Sequence, residues 1–229
     1  TNGFAGPGTH NTSLVLHNTA VLGLHFNGLT STNLPRGWPQ KAGTIGIPLP
    51  GCFLRVVDLS DPARELPQGE TGELAIRGNN VTSGYWNRPE ETQASFADGW
   101  FLTGDIGFMD EDGFFTIVDR KKDMIISGGF NLYPSEIEQV VWGHEAVQDC
   151  AVIGVPDDKW GEAVKAIVEL KPGQAATEDE IIALCKDALG SVKAPKTVEF
   201  WDELPRSPVG KVRKKDMREK FWEGRGRAV

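Results

Sequence analysis

Asp105, Lys211 and the pair Gly128 and Gly129 are the residues whose types and settings in this sequence could do chemistry. Asp105 closes a Thr103-Gly104-Asp105 run that predicts a tight turn. A carboxylate there could accept two hydrogen bonds from a vicinal diol such as a ribose, or it could serve as a turn-stabilising Asx residue. Lys211 ends Pro208-Val209-Gly210-Lys211, where glycine lets the chain turn sharply and the ammonium acts as a mobile point charge. Its other reading is a solvated lysine of a basic tail, since Arg206, Arg213, Lys214, Lys215 and Arg218 lie nearby and are themselves expected to be solvated. Gly128 and Gly129 predict a turn between Met124-Ile125-Ile126 and a following helix. Without Cβ atoms, backbone and ligand can approach closely there, although a plain tight turn carries the same signature.

The elements that must position these residues change in style along the chain. Residues 1–41 are rich in Gly, Asn, Thr and Pro, with one apolar stretch from Leu14 to Leu24, and predict no defined element. From Gly43 to about Val118 short β-type runs alternate with turn residues, namely Phe53 to Val57, Glu73 to Ile76 and Phe114 to Val118. Tyr85, Trp86 and Trp100 are expected in the core of this β-rich unit. A charged connector, Asp119 to Asp123, leads into strands alternating with amphipathic helices. In it Arg120 reads bottom-up as a surface arginine paired with Asp119 or Asp123, and Lys122 as a loop lysine in a polar, exposed segment that could absorb a backbone change.

Beyond the connector, Ser135 and Glu138 stand at capping-box spacing before one helix. Thr177 and Glu180 do so before another, with Gly190 as its stop. Ala151 to Val155, Ala163 to Leu170 and Thr197 to Trp201 predict strands, and Asp216 to Trp222 a last helix.

Composition excludes several classes. The 229 residues are 39% hydrophobic and 24% charged with a net charge of -8, an ordinary globular balance and no electrostatic footprint for nucleic acid. Cys52, Cys150 and Cys185 are odd in number, far apart and set in apolar surroundings, so they are expected as core thiols rather than a disulfide or zinc set. No run approaches the roughly 20 apolar residues of a spanning helix. The first residues also lack the basic-then-apolar pattern of a signal peptide, and a cytoplasmic location is expected.

Four ordered segments, GYWNRPEET, GWFLTGD, IVDRKKDMIISGGFNLYPSEIE and LPRSPVGKVRKKDMR, resemble the signatures of the adenylate-forming superfamily of acyl-CoA synthetases, peptide-synthetase adenylation domains and luciferases. The wording GGFNLYPSEIE followed by AVIGVPDDKWGE looks most like fatty-acyl and aryl CoA ligases, and the resemblance covers roughly residues 43–224. It implies an α+β chain: a β-rich end of the large N-terminal core over residues 1–119, a hinge at 120–122, and a small mobile C-terminal domain over 123–229. It implies a ligase in which a carboxylate attacks the α-phosphate of ATP and CoA then displaces AMP. By the same resemblance Lys211 is the catalytic lysine, Asp105 and Arg120 hold the ribose of the adenylate, Lys122 is the hinge residue, and Gly128 and Gly129 line the CoA channel.

The resemblance thins upstream. No segment matches the family's Ser/Thr/Gly-rich phosphate loop, which implies that the chain's partners include a missing half of the core as well as the acid, ATP and CoA. The next motif, a Tyr-Gly-X-Thr-Glu run, has Asn27-Gly28-Leu29-Thr30-Ser31 as its nearest match, which assigns Thr30 to the nucleotide. Ser31 replaces the glutamate associated with magnesium, so the magnesium expected for the full enzyme has no evident ligand here and no metal site is assigned. Two alternatives stay open: a noncatalytic fragment or separate lid, and an adenylation enzyme whose acceptor is a carrier protein.

Overall fold

The computed structural model describes residues 41–225 together with the backbone of a two-residue strand, β1 (Ser31–Thr32), which pairs antiparallel with β2 (Ile47–Pro48). The chain divides into two compact units, Thr1–Val118 and Asp119–Val229. Helix and strand are mixed throughout, with strands in the majority among the named elements.

The first unit is built on a five-stranded sheet. β3 (Cys52–Val57), β4 (Gly72–Gly78), β6 (Trp100–Met109) and β5 (Phe96–Ala97) are neighbours in that order, and β7 (Phe115–Arg120) adds to β6. Ile45, Val56, Leu66, Leu74 and Phe115 close over one face as its core. Trp100 instead lies under two guanidinium groups, Arg55 at 4.3 Å and Arg77 at 4.6 Å from its ring centroid, so it carries a cation-π stack outside the core. Trp86 departs further from expectation. It is 86% exposed, in a turn whose next residue, Asn87, has φ +54, ahead of the short helix α1 (Pro89–Ala94).

The second unit is a sheet covered on both faces. β8 (Ile125–Ser127), β9 (Phe130–Leu132), β10 (Val147–Asp157) and β11 (Gly161–Leu170) order as β10-β11-β8-β9, and β12 (Thr197–Phe200) pairs parallel with β11. Strand residues alternate sides, so Cys150 and Val152 join the core under α2 (Pro134–Trp142) and α3 (Glu178–Lys193). Ala151 and Ile153 join Leu204 and Met217 under α4 (Lys214–Trp222) on the other face. Two covered faces explain why the strand reads as an unbroken apolar run. No helix among the described residues is long and apolar enough to cross a membrane.

One of the two capping boxes forms. Thr177 caps α3, accepting the Glu180 N–H while the Glu180 carboxylate accepts the Thr177 N–H, and Gly190 at φ +79 breaks the helical path near its end. Thr177→Ala should lower stability in denaturant unfolding by about 1 kcal/mol, and Thr177→Ser should recover most of it. The Ser135 and Glu138 box does not form. Pro134 starts α2 early, and the Ser135 N–H donates to the Asp119 carboxylate at 2.8 Å. Glu138 is thereby released to turn inward.

The cysteines are all free, and Cys150 and Cys185 are core as expected. Burial drives the Cys150 thiol above the ordinary range and that of Cys185 up to about 11, so neither is a nucleophile. Cys52 is only half-buried, its thiol donating to Asn80.

Candidate functional site

In the first unit the residue of interest is Asp105, and it lies within a strand rather than in a tight turn. β4 and β6 lose register between Glu73↔Ile106 and Ala75↔Leu102, which makes Thr103-Gly104-Asp105 a bulge in β6. Three residues of β6 thus stand opposite Leu74 alone, and Gly104 among them takes φ +71, a left-handed conformation that favours glycine. Three hydrogen bonds fix the bulge. Thr103 Oγ1 donates to Leu74 O at 2.8 Å, the Gly104 N–H donates to the Glu73 carboxylate at 3.0 Å, and the Asp105 N–H donates back to Thr103 Oγ1 at 3.0 Å. A bulge of this kind re-aims one side chain while the sheet around it stays regular, and Asp105 is left 5% exposed on a rigid base.

In the second unit the connector is more structured than a solvated run. Asp119 is buried and its carboxylate accepts the N–H groups of Arg120 at 2.7 Å and Ser135 at 2.8 Å. Lys121–Asp123 forms a single 3-10 turn, closed by the Met124 N–H on the Arg120 and Lys121 carbonyls. Lys122 is exposed, whereas Asp123 pairs with Arg218 at 2.6 Å.

Gly128 and Gly129 make a hairpin loop between β8 and β9, not a turn leading directly into a helix. Both take positive φ, +58 and +83, the pairing that two-residue hairpin turns prefer. Trp160 stands against this loop, receiving the Gly128 N–H on its carbonyl at 2.8 Å. A Cβ on Gly128 would lie 2.6 Å from Trp160 Cε3, while one on Gly129 would meet nothing within 4 Å. Gly128→Ala should therefore cost about 1–2 kcal/mol of backbone strain plus the collision, and Gly129→Ala the strain alone. Equal costs in urea unfolding would mean that the indole simply moves aside.

Lys211 projects from a tight hairpin. The Arg213 N–H donates to Pro205 O at 2.7 Å, the Ser207 N–H to Lys211 O at 2.8 Å, and the Gly210 N–H to Ser207 O at 2.8 Å. Arg206 ties its base to the sheet, reaching Asp149 at 2.7 Å and Glu169 at 3.3 Å. Lys211 is thus exposed on a loop with a fixed root.

Of the cations around Lys211, Arg213 and Lys215 are exposed as expected, whereas Arg206, Lys214 and Arg218 are partly or largely shielded in ion pairs. Lys214 pairs with Glu138 at 2.7 Å, with side-chain exposures of 18% and 8%, and the same carboxylate accepts the Val152 N–H of the edge strand at 2.7 Å. Burial works against the Lys214 ammonium, but the charges of Glu138 and Asp119 override it and hold its pKa above the ordinary lysine value. The Lys121–Asp123 turn and the exit of the Lys211 hairpin share a cavity of about 310 Å³, whose walls include Lys122, Asp123, Val212, Arg213, Lys214 and Arg218. Gly128 and Gly129 do not line it.

Thr30 lies outside the described residues. The sequence assigned no role to Trp160, and it placed Asp119 and Asp123 only as partners of Arg120, Glu138 only in a capping box and Arg218 only among solvated cations. The Asp157 carboxylate, which accepts the Lys159 and Trp160 N–H groups, is the one local turn signal that could have pointed to Trp160. No group of three or more His, Cys, Asp or Glu side chains that could hold a metal ion occurs among the described residues.

Residues 136–211 match the model of the AMP-binding enzyme C-terminal domain, and residues 19–86 match that of the AMP-binding enzyme. The second match reaches upstream of Gly43, further than the motifs indicated. The chain is 48% identical over 199 residues to a long-chain-fatty-acid–CoA ligase of Salmonella typhimurium, covering 87% of this chain and 34% of that protein. To the medium/long-chain-fatty-acid–CoA ligase of Mycobacterium tuberculosis it is 49% identical over 205 residues, covering 86% and 36%. Among solved structures, ATP-bound MatB from Rhodopseudomonas palustris superposes with a TM-score of 0.77 at 40% identity, over 84% of this chain and 38% of that one. The chain thus spans about a third of the length of the curated relatives it matches.

Proposed function

We propose, from the premise that this chain belongs to the AMP-binding enzyme family, that it forms part of an AMP-forming acid-thiol ligase whose substrate is a fatty acid. The acid's carboxylate attacks the α-phosphorus of ATP, a P–O bond forms and pyrophosphate leaves. The CoA thiol then attacks the acyl carbon, the thioester forms, and AMP departs with the oxygen it gained. The observation that carries this reading is Lys211 at the tip of a hairpin rooted through Arg206, inside the segment that matches the family's C-terminal domain.

Lys211 supplies positive charge where charge accumulates during the first step, bridging carboxylate and α-phosphate. The rigid bulge offers the Asp105 carboxylate to the ribose hydroxyls, with Arg120 and Thr30 as further nucleotide contacts. Lys122 marks the pivot between the two half-reactions, and the Gly128-Gly129 hairpin serves the CoA side, where the missing Cβ atoms admit a thin chain such as pantetheine.

Acid-dependent exchange of labelled pyrophosphate into ATP, and AMP release that requires CoA, test the reading across a panel of fatty acids. The 229-residue chain is assayed alone and joined to a Ser/Thr/Gly-rich phosphate-loop segment. Exchange that appears on joining supports the ligase. Exchange indifferent to the acid contradicts it, and a thioester formed only on a carrier protein would redirect the acceptor.

A further inference from the structure

We propose that the Asp123–Arg218 ion pair is a positioning strut, which locks the turn at the hinge to the helix that roots the Lys211 hairpin and so ends the pivot at Lys122. The proposal rests on the ligase reading for its functional consequence, but its structural content stands on geometry within the second unit.

The two residues are 95 positions apart and meet at 2.6 Å, with side-chain exposures of 14% and 12%. That is a shielded pair, not one of the exposed pairs that contribute little. Arg218 belongs to α4, which apolar contacts of Met217 and Phe221 fix to the sheet. Lys214 on the same helix adds the buried link to Glu138. Three residues before α4 stands Lys211, and the Arg213 N–H that closes its hairpin leads directly into the helix. Hairpin, helix and sheet are therefore one rigid piece.

The Lys121–Asp123 turn is attached to that piece differently. Between it and α4 lies the cavity of about 310 Å³, walled mainly by charged side chains. Across it the Asp123–Arg218 pair joins the turn to α4 directly. Asp123 is the last residue of the turn, so anchoring it confines any backbone rotation to the bonds that precede it. With the anchor removed, bending spreads into Asp123 and Met124, and Lys211 loses its defined arc about the hinge. A planar guanidinium suits this task, because its fork fixes direction as well as distance.

Amide hydrogen exchange on the 229-residue chain tests the strut without any turnover. In Arg218→Ala, and in the shape-conserving Asp123→Asn, the Met124 N–H that closes the turn should exchange about tenfold faster, while Val152 and Ala166 in the sheet keep their rates. The charge-reversed double variant Asp123→Arg with Arg218→Asp should restore most of the protection. In the ligase, Arg218→Ala should lower the kcat of adenylate formation about tenfold with KM for ATP unchanged, and leave thioester formation from supplied acyl-AMP within about twofold. Unchanged Met124 exchange, or acceleration of every sheet amide alongside it, would overturn the strut. The ligase reading fails separately, if Lys211→Ala assayed in parallel spares adenylate formation.

Discussion

Lys211→Ala is expected to lower acid-dependent adenylate formation by about 10²–10³-fold, the scale on which loss of one preorganised charge-stabilising group is felt. Thioester formation from supplied acyl-AMP should stay within about threefold, because charge no longer builds at phosphorus in that step. Stability should barely change. Lys211 is exposed, and the hairpin around it is held by backbone hydrogen bonds and by Arg206, none of which the substitution removes. A surface change of this kind stays within about 0.5 kcal/mol. Lys211→Arg should rescue poorly, since a planar fork cannot present the compact charge of an ammonium on the same hairpin. Equal loss of both half-reactions would contradict the role given to Lys211.

Three residues further on, Lys214→Ala is expected to do the reverse. Here the ammonium is the partner of Glu138, whose carboxylate also accepts the N–H of Val152 on the sheet edge. Removing the lysine strands a carboxylate that is almost wholly buried, and breaking a buried pair from one side costs about 3–5 kcal/mol. The loss should appear in chemical denaturation of the second unit. A compensating Glu138→Gln in the Lys214→Met background should recover much of it, because the amide still accepts from Val152 and no charge is left unpaired. Failure of that rescue would locate the cost in packing rather than in charge. The two lysines together separate function from stability within one short basic stretch.

That contrast also marks the limit of the sequence. Thr177 and Glu180 were legible because a capping box is complete within four residues, and the box forms as written. Ser135 and Glu138 carry the same spacing, yet Pro134 starts the helix and the carboxylate of Asp119 caps it from outside the motif. Thr103-Gly104-Asp105 read as a tight turn, but the run lies within β6, where Gly104 takes φ +71. Whether that glycine makes a turn or a bulge depends on the pairing with Glu73 and Ala75, which local reading does not see.

Gly128 and Gly129 gave the loop, but strands of three residues are too short to carry a period, and the hairpin emerged only from β8 and β9 pairing. Arg206, Lys214 and Arg218 read as part of a solvated tail because their acids, Asp149, Glu169, Glu138 and Asp123, are remote in sequence. For Lys211 the motif decided, and motif context is the one local signal that carries information about a distant partner surface.

In the proposed reaction a carboxylate attacks the α-phosphorus, and an oxygen label follows that bond directly. Fatty acid labelled with ¹⁸O in its carboxylate is incubated with ATP, CoA and this chain joined to a phosphate-loop segment, and the released AMP and pyrophosphate are weighed by mass spectrometry. One labelled oxygen should appear in each AMP and none in pyrophosphate. Label in pyrophosphate or inorganic phosphate, or AMP released without label, would contradict the mechanism and with it the role of Lys211.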